Sequence, residues 1–347
     1  MKKIFALVLV LVMALSLVSC GKEEYTLGMG VVVSTESSKT GNAQVDATVA
    51  AVVTDANGVI VACRIDVAQN KMDVKGGKVE TEKTFETKME LGERYGMATS
   101  EYSTDNDHDG RILEWDVQAK AFEKFVIGMT ADEVAAMRVQ YDGSHFFTTD
   151  PELLDAGCSM QITDFIQAVV KACDDRNAVS FKANPKKMSL GVAAITTVNS
   201  DTKAATATAT GSVNMYTDFA AAVVVKGKIV ATLNDCIQPK ITINSLGEIV
   251  KVDFKGTKRE LRYAYNMAAF GEPNIEGGKV QEWYLQSAAF SSYVMENKMT
   301  ADNVDNMETK VVNNHNITTD SELLSAGCTM EITGICDVVA KAARNAR

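Results

Sequence analysis

The feature that most constrains this chain is a long internal repeat. Glu114-Trp115 followed by Gln118-Ala119 recurs as Glu282-Trp283 followed by Gln286-Ser287. Three further segments recur at almost the same offset: residues 129–132 as 299–302, residues 148–154 as 318–324, and residues 156–160 as 326–330. Self-similarity at a fixed offset over this length is the signature of a duplicated unit. We therefore predict two homologous domains, residues 27–173 and 188–347, joined by a polar linker at residues 174–187.

Each repeat places its predicted strands before its predicted helices. In the first repeat, apolar residues occupy every second position from Val45 to Val53, a turn follows at residues 55–58, and residues 59–67 return as the partner strand. Residues 72–80 predict a second hairpin. The second repeat predicts the same order, with strands at 218–225, 228–233, 240–244 and 248–254.

The second part of each repeat has helical periodicity. Apolar residues from Trp115 to Val126 recur at the spacing of one helix face, and closing helices are predicted at residues 164–172 and 334–343. Thr130 precedes two acidic residues within three positions and predicts a helix N-cap. Strands followed by helices favour an α+β fold in which each domain is an antiparallel meander with helices packed on it. We expect Trp115 and Trp283 to anchor that interface.

The N-terminus has the pattern of an export signal. Two lysines precede an apolar run at residues 4–15, and Leu17-Val18-Ser19-Cys20 follows. These four residues resemble the bacterial lipobox, which implies a signal peptide at residues 1–19, a diacylglyceryl group on Cys20 and a tether at residues 20–26. The alternative is an ordinary secretory peptide with a chance cysteine. We expect a protein anchored to the cell membrane on its extracytoplasmic face.

Six cysteines remain after Cys20, and an exported chain offers two uses for them. They can form three disulfides, or they can pack as reduced thiols. We favour reduced thiols because several of these cysteines lie inside periodic apolar segments. The sequence has no CxxC motif, which disfavours zinc.

Charge and motif content exclude several function classes. The net charge is −10, which disfavours nucleic acid as a partner. The sequence has no GxSxG, P-loop, HExxH or strand-linked GxGxxG motif. His145 and His315 lie at matching positions in polar loops and are expected to be solvated. We therefore expect a non-catalytic protein.

An acidic segment in the first repeat has calcium-loop spacing. Asp105, Asp107 and Asp109 occupy positions 1, 3 and 5, Gly110 is at position 6, and Asp116 is at position 12. This pattern resembles an EF-hand loop with the terminal acid of the dockerin variant, which implies a calcium site at the four aspartates. The alternative is a solvated acidic loop, and the second repeat has no matching triplet.

A second candidate site precedes each closing helix. Residues 156–159 and 326–329 resemble the motif that carries phosphate-linked flavin in the FMN-binding domain of exported bacterial flavoproteins. The resemblance implies a helix N-terminus that attracts an anion, with Thr329 as the better attachment point. The implied cofactor-binding residues are Gly157, Cys158, Ser159, Gly327, Cys328 and Thr329.

The mature chain also resembles uncharacterised tandem-repeat surface lipoproteins of Gram-positive bacteria. The resemblance lies in the opening at residues 27–31, in residues 90–97 and in the Glu-Trp pair followed by Gln-Ala. It implies a fold and a location without an activity. Three functions remain open: a non-catalytic module that binds a small ligand or surface partner, a flavin-carrying electron-transfer lipoprotein, and a structural or adhesive surface module.

Overall fold

Antiparallel strands form the centre of the molecule, and helices cover its two outer faces. The structure, a computed structural model, describes residues 23–99, 112–143, 145–270 and 279–347. The predicted signal peptide, Cys20 and the first three aspartates of the calcium pattern lie outside these residues.

The strands in the described residues are β1 (Glu23–Ser34), β2 (Asn42–Thr54), β3 (Ile60–Asp73), β4 (Val139–Tyr141), β5 (Phe146–Thr148), β6 (Ala178–Ala183), β7 (Met188–Val198), β8 (Gly211–Val213), β9 (Met215–Val225), β10 (Lys228–Ile237), β11 (Lys240–Ile243), β12 (Ile249–Asp253), β13 (Thr309–Val312) and β14 (His315–Thr318). The α-helices in the same ranges are α1 (Lys88–Leu91), α2 (Trp115–Phe125), α3 (Ala131–Ala135), α4 (Pro151–Asp155), α5 (Thr163–Ala172), α6 (Lys258–Leu261), α7 (Met267–Phe270), α8 (Trp283–Glu296), α9 (Ala301–Asp305), α10 (Ser321–Ser325) and α11 (Thr333–Arg344).

Two main sheets pack face to face. The first has the order β3-β2-β1-β6 and the second the order β10-β9-β7, with every neighbouring pair antiparallel. Alternate residues point into the space between them, such as Leu27 and Met29 from β1 and Phe219 and Val223 from β9. All four belong to one buried apolar cluster, so the two halves of the chain share a core.

The opposite face of each sheet is covered by the helices of its own half. Ala50 and Val52 of β2 pack with α2 and α5, and Ala220 and Ala222 of β9 pack with α8 and α11. The result is four layers in the order helix, sheet, sheet, helix.

Small residues let each closing helix approach its sheet closely. A side chain at Gly28 or Gly30 of β1 would collide with the backbone of α5, and one at Gly191 of β7 would collide with the backbone of α11. The alternation in residues 27–31 therefore has two purposes: its larger residues fill the shared core, and its glycines face the helix.

The two halves also exchange matching ion pairs. Lys171 on α5 lies 2.7 Å from Glu260 on α6, and Lys341 on α11 lies 2.7 Å from Glu90 on α1. Each lysine also donates to a carbonyl of the strand below it, that of residue 31 or of residue 194. The two pairs join positions related by the offset of the repeat, so the contact has the reciprocal form of a two-fold interface.

Several sequence-based predictions are confirmed. The hairpin at residues 55–58, the helix from Trp115 and both closing helices form where predicted. Thr130 caps α3 in a complete capping box with Glu133. Mixed α+β architecture with antiparallel sheets is likewise observed.

Two predicted segments differ from the structure. Residues 23–26, predicted as part of the tether, belong to β1, which begins at Glu23. The second hairpin expected at residues 72–80 does not form, since β3 continues to Asp73 and a 3₁₀ turn follows. In the second half the corresponding strand is interrupted near Pro239, which has no N–H for a ladder, and the separate hairpin β11–β12 follows.

The segment predicted as a linker has a structure of its own. Residues 174–187 lead from α5 to β7 and contain β6, whose backbone pairs with β1 and completes the edge of the first sheet. The polar composition of the segment therefore belongs to an edge strand with short turns on either side.

No helix in the described part of the chain is long and apolar enough to cross a membrane.

Candidate functional site

A cavity of about 440 Å³ opens on the outer face of the first sheet. It lies between strands β2 and β3, the short helix α1, and the starts of α2 and α5. Its walls combine aromatic and apolar surface from Tyr95, Trp115 and Phe165 with the charged side chains of Lys88 and Asp164. Mixed walls of this kind are typical of small-molecule sites.

Helix α1 places Lys88 at the cavity. Thr87 caps the helix in a capping box with Glu90. The Asp66 carboxylate accepts hydrogen bonds from the N–H groups of Val67, at 2.7 Å, and Met89, at 3.1 Å. Burial raises the pKa of Asp66 to about 6, although Thr87 and both N–H groups lower it. Asp66 thus fixes the helix to β3.

The Lys88 ammonium lies against aromatic rings. Its Nζ is 4.7 Å from the ring centroid of Tyr95 and 5.5 Å from that of Trp115. These are cation–π distances. Trp115 itself is only 3% exposed and meets Phe165 edge to face at 5.8 Å, so it is the predicted core anchor and a wall of the cavity at once.

The Glu-Trp and Gln-Ala pattern of the repeat connects loops around this cavity. Glu114 accepts hydrogen bonds from the N–H groups of Met97 and Ala98 at 2.9 and 3.1 Å. Gln118 Oε1 accepts from the N–H groups of Ser159 and Met160, both at 2.9 Å. We call the contact between this glutamine and its loop the glutamine clamp. Glu114 thus binds a loop that precedes Trp115 in the chain, and Gln118 binds a loop that follows it.

The glutamine clamp occupies a backbone donor of the loop to which the flavin prediction assigns its residues. The N–H of Ser159, one of those residues, already donates to Gln118. Ser159 is 3% exposed, and burial raises the pKa of the neighbouring Cys158 thiol to about 12. A phosphate at this loop would displace a buried amide carbonyl. Gly157 has φ +87°, which ends α4 in the left-handed conformation that glycine adopts readily.

The second half repeats this arrangement. Gln286 Oε1 accepts from the N–H groups of Thr329 and Met330, both at 2.8 Å, and Gly327 has φ +93°. Thr329 is 8% exposed, and burial raises the pKa of the Cys328 thiol to about 12. The six residues of the flavin prediction therefore lie in two equivalent loops, and in both the N–H of the hydroxyl residue is already bound. The residues present do not fit a phosphate-linked flavin without rearrangement.

Two carboxylates line the open cavity of the first half. Asp46 lies on β2 and Asp164 in the first turn of α5. Asp46 accepts hydrogen bonds from Gln44 Nε2 at 2.8 and 2.9 Å. Burial, and then the charge of Asp46, raise the pKa of Asp164, whereas Lys88 lowers it.

The corresponding place in the second half has a different set of charges. Lys258 lies over Tyr265 and Trp283, at 5.0 and 5.3 Å from their ring centroids, as Lys88 does over its rings in the first half. Here, however, Asp218 of β9 projects toward the start of α11, where Gly334 takes the position of Asp164. A Cβ added at Gly334 would lie 2.8 Å from Asp218 Oδ2. A strand carboxylate thus fills space that the first half leaves open.

The calcium prediction concerns residues that are mostly outside the described part of the chain. Of its four aspartates, only Asp116 is described, and its carboxylate lies 2.6 Å from the ammonium of Lys120 on the next turn of α2. Among the described residues, no three His, Cys, Asp or Glu side chains are grouped as a metal site. The calcium site stays a prediction.

The six cysteines after Cys20 are free thiols in the structure. Five are buried, and Cys173 is partly buried. Cys63 and Cys158 belong to the apolar cluster under the helices of the first half, and Cys328 and Cys336 to that of the second. They pack as small apolar side chains.

Sequence reasoning missed the charged residues of the cavity. Lys88 and Tyr95 have counterparts at the offset of the repeat, Lys258 and Tyr265, and this shared offset is a usable signal. No such signal marks the two acids of the cavity, because Tyr216 stands at the position of Asp46 and Gly334 at that of Asp164. His145 also lines the cavity, with half of its side chain exposed.

Comparisons with family models, with curated proteins and with solved structures each found no match for this chain.

Proposed function

We propose that this protein is a lipid-anchored, extracytoplasmic binding protein that holds a small molecule in the cavity beside Trp115. The observation that carries the proposal is the cavity itself, about 440 Å³ with aromatic walls and converging charged groups. The walls offer surface for packing and charged groups that suit recognition of a small molecule, so we favour binding without chemistry. Flavin carriage is the weaker alternative because the loop donors are already used by Gln118 and Gln286.

The proposal includes two homologous units with different tasks. The shared offset of the motifs, the equivalent glutamine clamps and the reciprocal ion pairs support a duplication. In this view the first unit keeps an open site and the second unit is its structural partner, since Asp218 fills the corresponding space.

The binding proposal is tested by identifying what the purified chain contains. Protein isolated from its native envelope is denatured, and released small molecules are identified by mass spectrometry. The matched variant combines Thr48→Asp with Asp164→Gly, which introduces the arrangement of the second half and is expected to remove the ligand. Asp155→Asn, an exposed change on α4, is the control. An identical small-molecule content in all three proteins contradicts the proposal.

The location is tested separately through Cys20. Cys20→Ala is expected to abolish lipidation and to release the chain from the membrane fraction. Unchanged fractionation together with unchanged mass would reject the anchor.

A further inference from the structure

The described charges around the cavity do not balance. Asp46 and Asp164 carry two negative charges and Lys88 carries one positive charge, with histidine neutral at pH 7. At the corresponding place in the second half, Tyr216 and Gly334 replace the two acids. The open site therefore has its two acids at positions where the second half has none, whereas the strand acid of the second half, Asp218, lies two residues further along the strand and against Gly334.

The position of Lys88 leaves both carboxylates without a close ion pair to a described residue. No ion pair within 4.0 Å joins Lys88 to an acidic residue in the described part of the chain, because its ammonium lies on the rings of Tyr95 and Trp115. Asp164 has no hydrogen bond or ion pair to any described residue, although it is partly buried at the cavity wall. A partly buried carboxylate without a hydrogen bond or close ion pair is costly even where a more distant lysine attracts it, and a cation that enters the cavity would reduce that cost.

We infer, on the basis of the proposed binding function, that the ligand is a small organic molecule with a protonated amine that lies between Asp46 and Asp164 and an apolar part that packs on Phe165 and Trp115. The two carboxylates select the positive charge, and the rings favour a hydrocarbon portion over a hydrated metal ion. Lys88 opposes the ligand charge, so it limits the affinity and admits only a ligand whose amine is placed away from the rings of Tyr95 and Trp115.

Three probes of matched shape test the charge. Calorimetry compares phenethylamine, phenethyl alcohol and phenylacetate at one pH and low salt, with calcium chloride as a fourth titrant. Phenethylamine is expected to bind at least about tenfold more tightly than the neutral alcohol, and phenylacetate is expected to bind more weakly still. Asp164→Asn should weaken amine binding by about tenfold, whereas the control Asp155→Asn should leave it unchanged.

The Lys88→Met variant tests whether the cavity prefers a positively or a negatively charged ligand. Removal of this positive charge is expected to tighten amine binding severalfold, whereas it would abolish the binding of an anion. Tighter binding of phenylacetate than of phenethylamine, with loss in Lys88→Met, would overturn the inference and leave the binding function standing. Calcium binding that depends on Asp164, without amine binding, would also overturn it.

The molecule released from native protein separates this inference from the function on which it rests. A released molecule that carries an amine supports both. If no probe binds and the released molecule has no amine, the inference fails and the binding function stands. If no probe binds and the native protein releases no small molecule, both proposals fail.

Discussion

The regions around Lys88 and Lys258 have the same supporting elements but differ in the side chains that lie between strand and closing helix. In both, a capped helical turn holds a lysine over a tyrosine and a tryptophan, and a buried aspartate on the adjacent strand binds the turn. The first site leaves a cavity between strand and helix. In the second, Asp218 projects toward Gly334 and occupies the corresponding place.

This difference separates what the fold needs from what the proposed ligand would need. The parts common to both sites, such as the glutamine clamp and the capping boxes, satisfy backbone groups and would be required without any ligand. The parts that differ are Asp46 against Tyr216, Thr48 against Asp218 and Asp164 against Gly334. They decide whether the space is open and which charge lines it.

The largest expected effect concerns the core that both halves share. Residues 20–187 and residues 188–347, expressed separately, are each expected to lack a cooperative thermal transition, because each would expose the apolar inner face of its sheet. Calorimetry of each half measures this, and coexpression should restore one transition. A cooperative transition in either isolated half would show that the shared core is dispensable and that the repeat unit folds independently.

Removal of each glutamine clamp tests whether the two halves contribute equally to the stability of the folded protein. Gln118→Ala and Gln286→Ala each leave two backbone N–H groups of a buried loop without their acceptor, at a cost of about 2–4 kcal/mol in the free energy of unfolding. Denaturant unfolding should show similar losses for both variants, whereas ligand binding should fall only for Gln118→Ala. A loss confined to one half would mean that the clamps are not equivalent.

Much of the fold follows from local sequence, and the reasons are visible in single residues. Alternation in β2 predicts a strand with two different faces, and Gly58 predicts its hairpin. Periodicity predicts α5 and α11. These features depend on residues that are close in sequence, so they can be predicted from one sequence alone.

The arrangement of the halves and the cavity does not follow in the same way. The polar segment 174–187 has the composition of a linker, yet its middle pairs with β1, which lies at the other end of the first repeat. Asp164 begins a helix like any acidic first-turn residue, and only packing places it at the same cavity as Asp46. Aspartate usually lies on the surface of a protein, but Asp66 is buried and accepts a hydrogen bond from an N–H group of α1.

The buried aspartates that support each lysine turn predict a pH dependence common to both halves. Burial raises the pKa of Asp66 and of Asp235 to about 6, from about 4 in an unfolded chain. At these two aspartates the folded state therefore binds more protons than the unfolded state between these values, so their titration should favour the folded state as the pH falls from 7 to 4. Each aspartate contributes about 2–3 kcal/mol of this change.

The aspartate prediction is measured by unfolding at a series of pH values. Asp66→Asn and Asp235→Asn should each remove part of the slope, because the amide does not titrate, whereas Asp155→Asn should leave the slope unchanged. A pH slope that both variants leave unchanged would contradict these shifts, and a slope changed by only one of the two variants would mean that the lysine turns are supported differently.

The smallest expected effect concerns the two reciprocal ion pairs, which test the two-fold relation directly. Lys171–Glu260 and Lys341–Glu90 join corresponding positions, and all four side chains are partly exposed. Exposed pairs contribute about 0.2–1 kcal/mol, because solvent screens them and ordering the side chains has an entropic cost. Double-mutant cycles with alanine should give similar coupling energies in this range for both pairs, and both should decrease in high salt.

The single variants of these cycles add a second comparison. Because each lysine also donates to a strand carbonyl, Lys171→Ala and Lys341→Ala should lose more stability than Glu260→Gln and Glu90→Gln. Each glutamate also completes a capping box, so Glu260→Gln and Glu90→Gln, which keep an acceptor for the N-cap N–H, separate the ion pair from the cap. Coupling in only one pair would mean that the two halves meet asymmetrically, and the difference between the open first site and the filled second one would then extend to the contact between the halves.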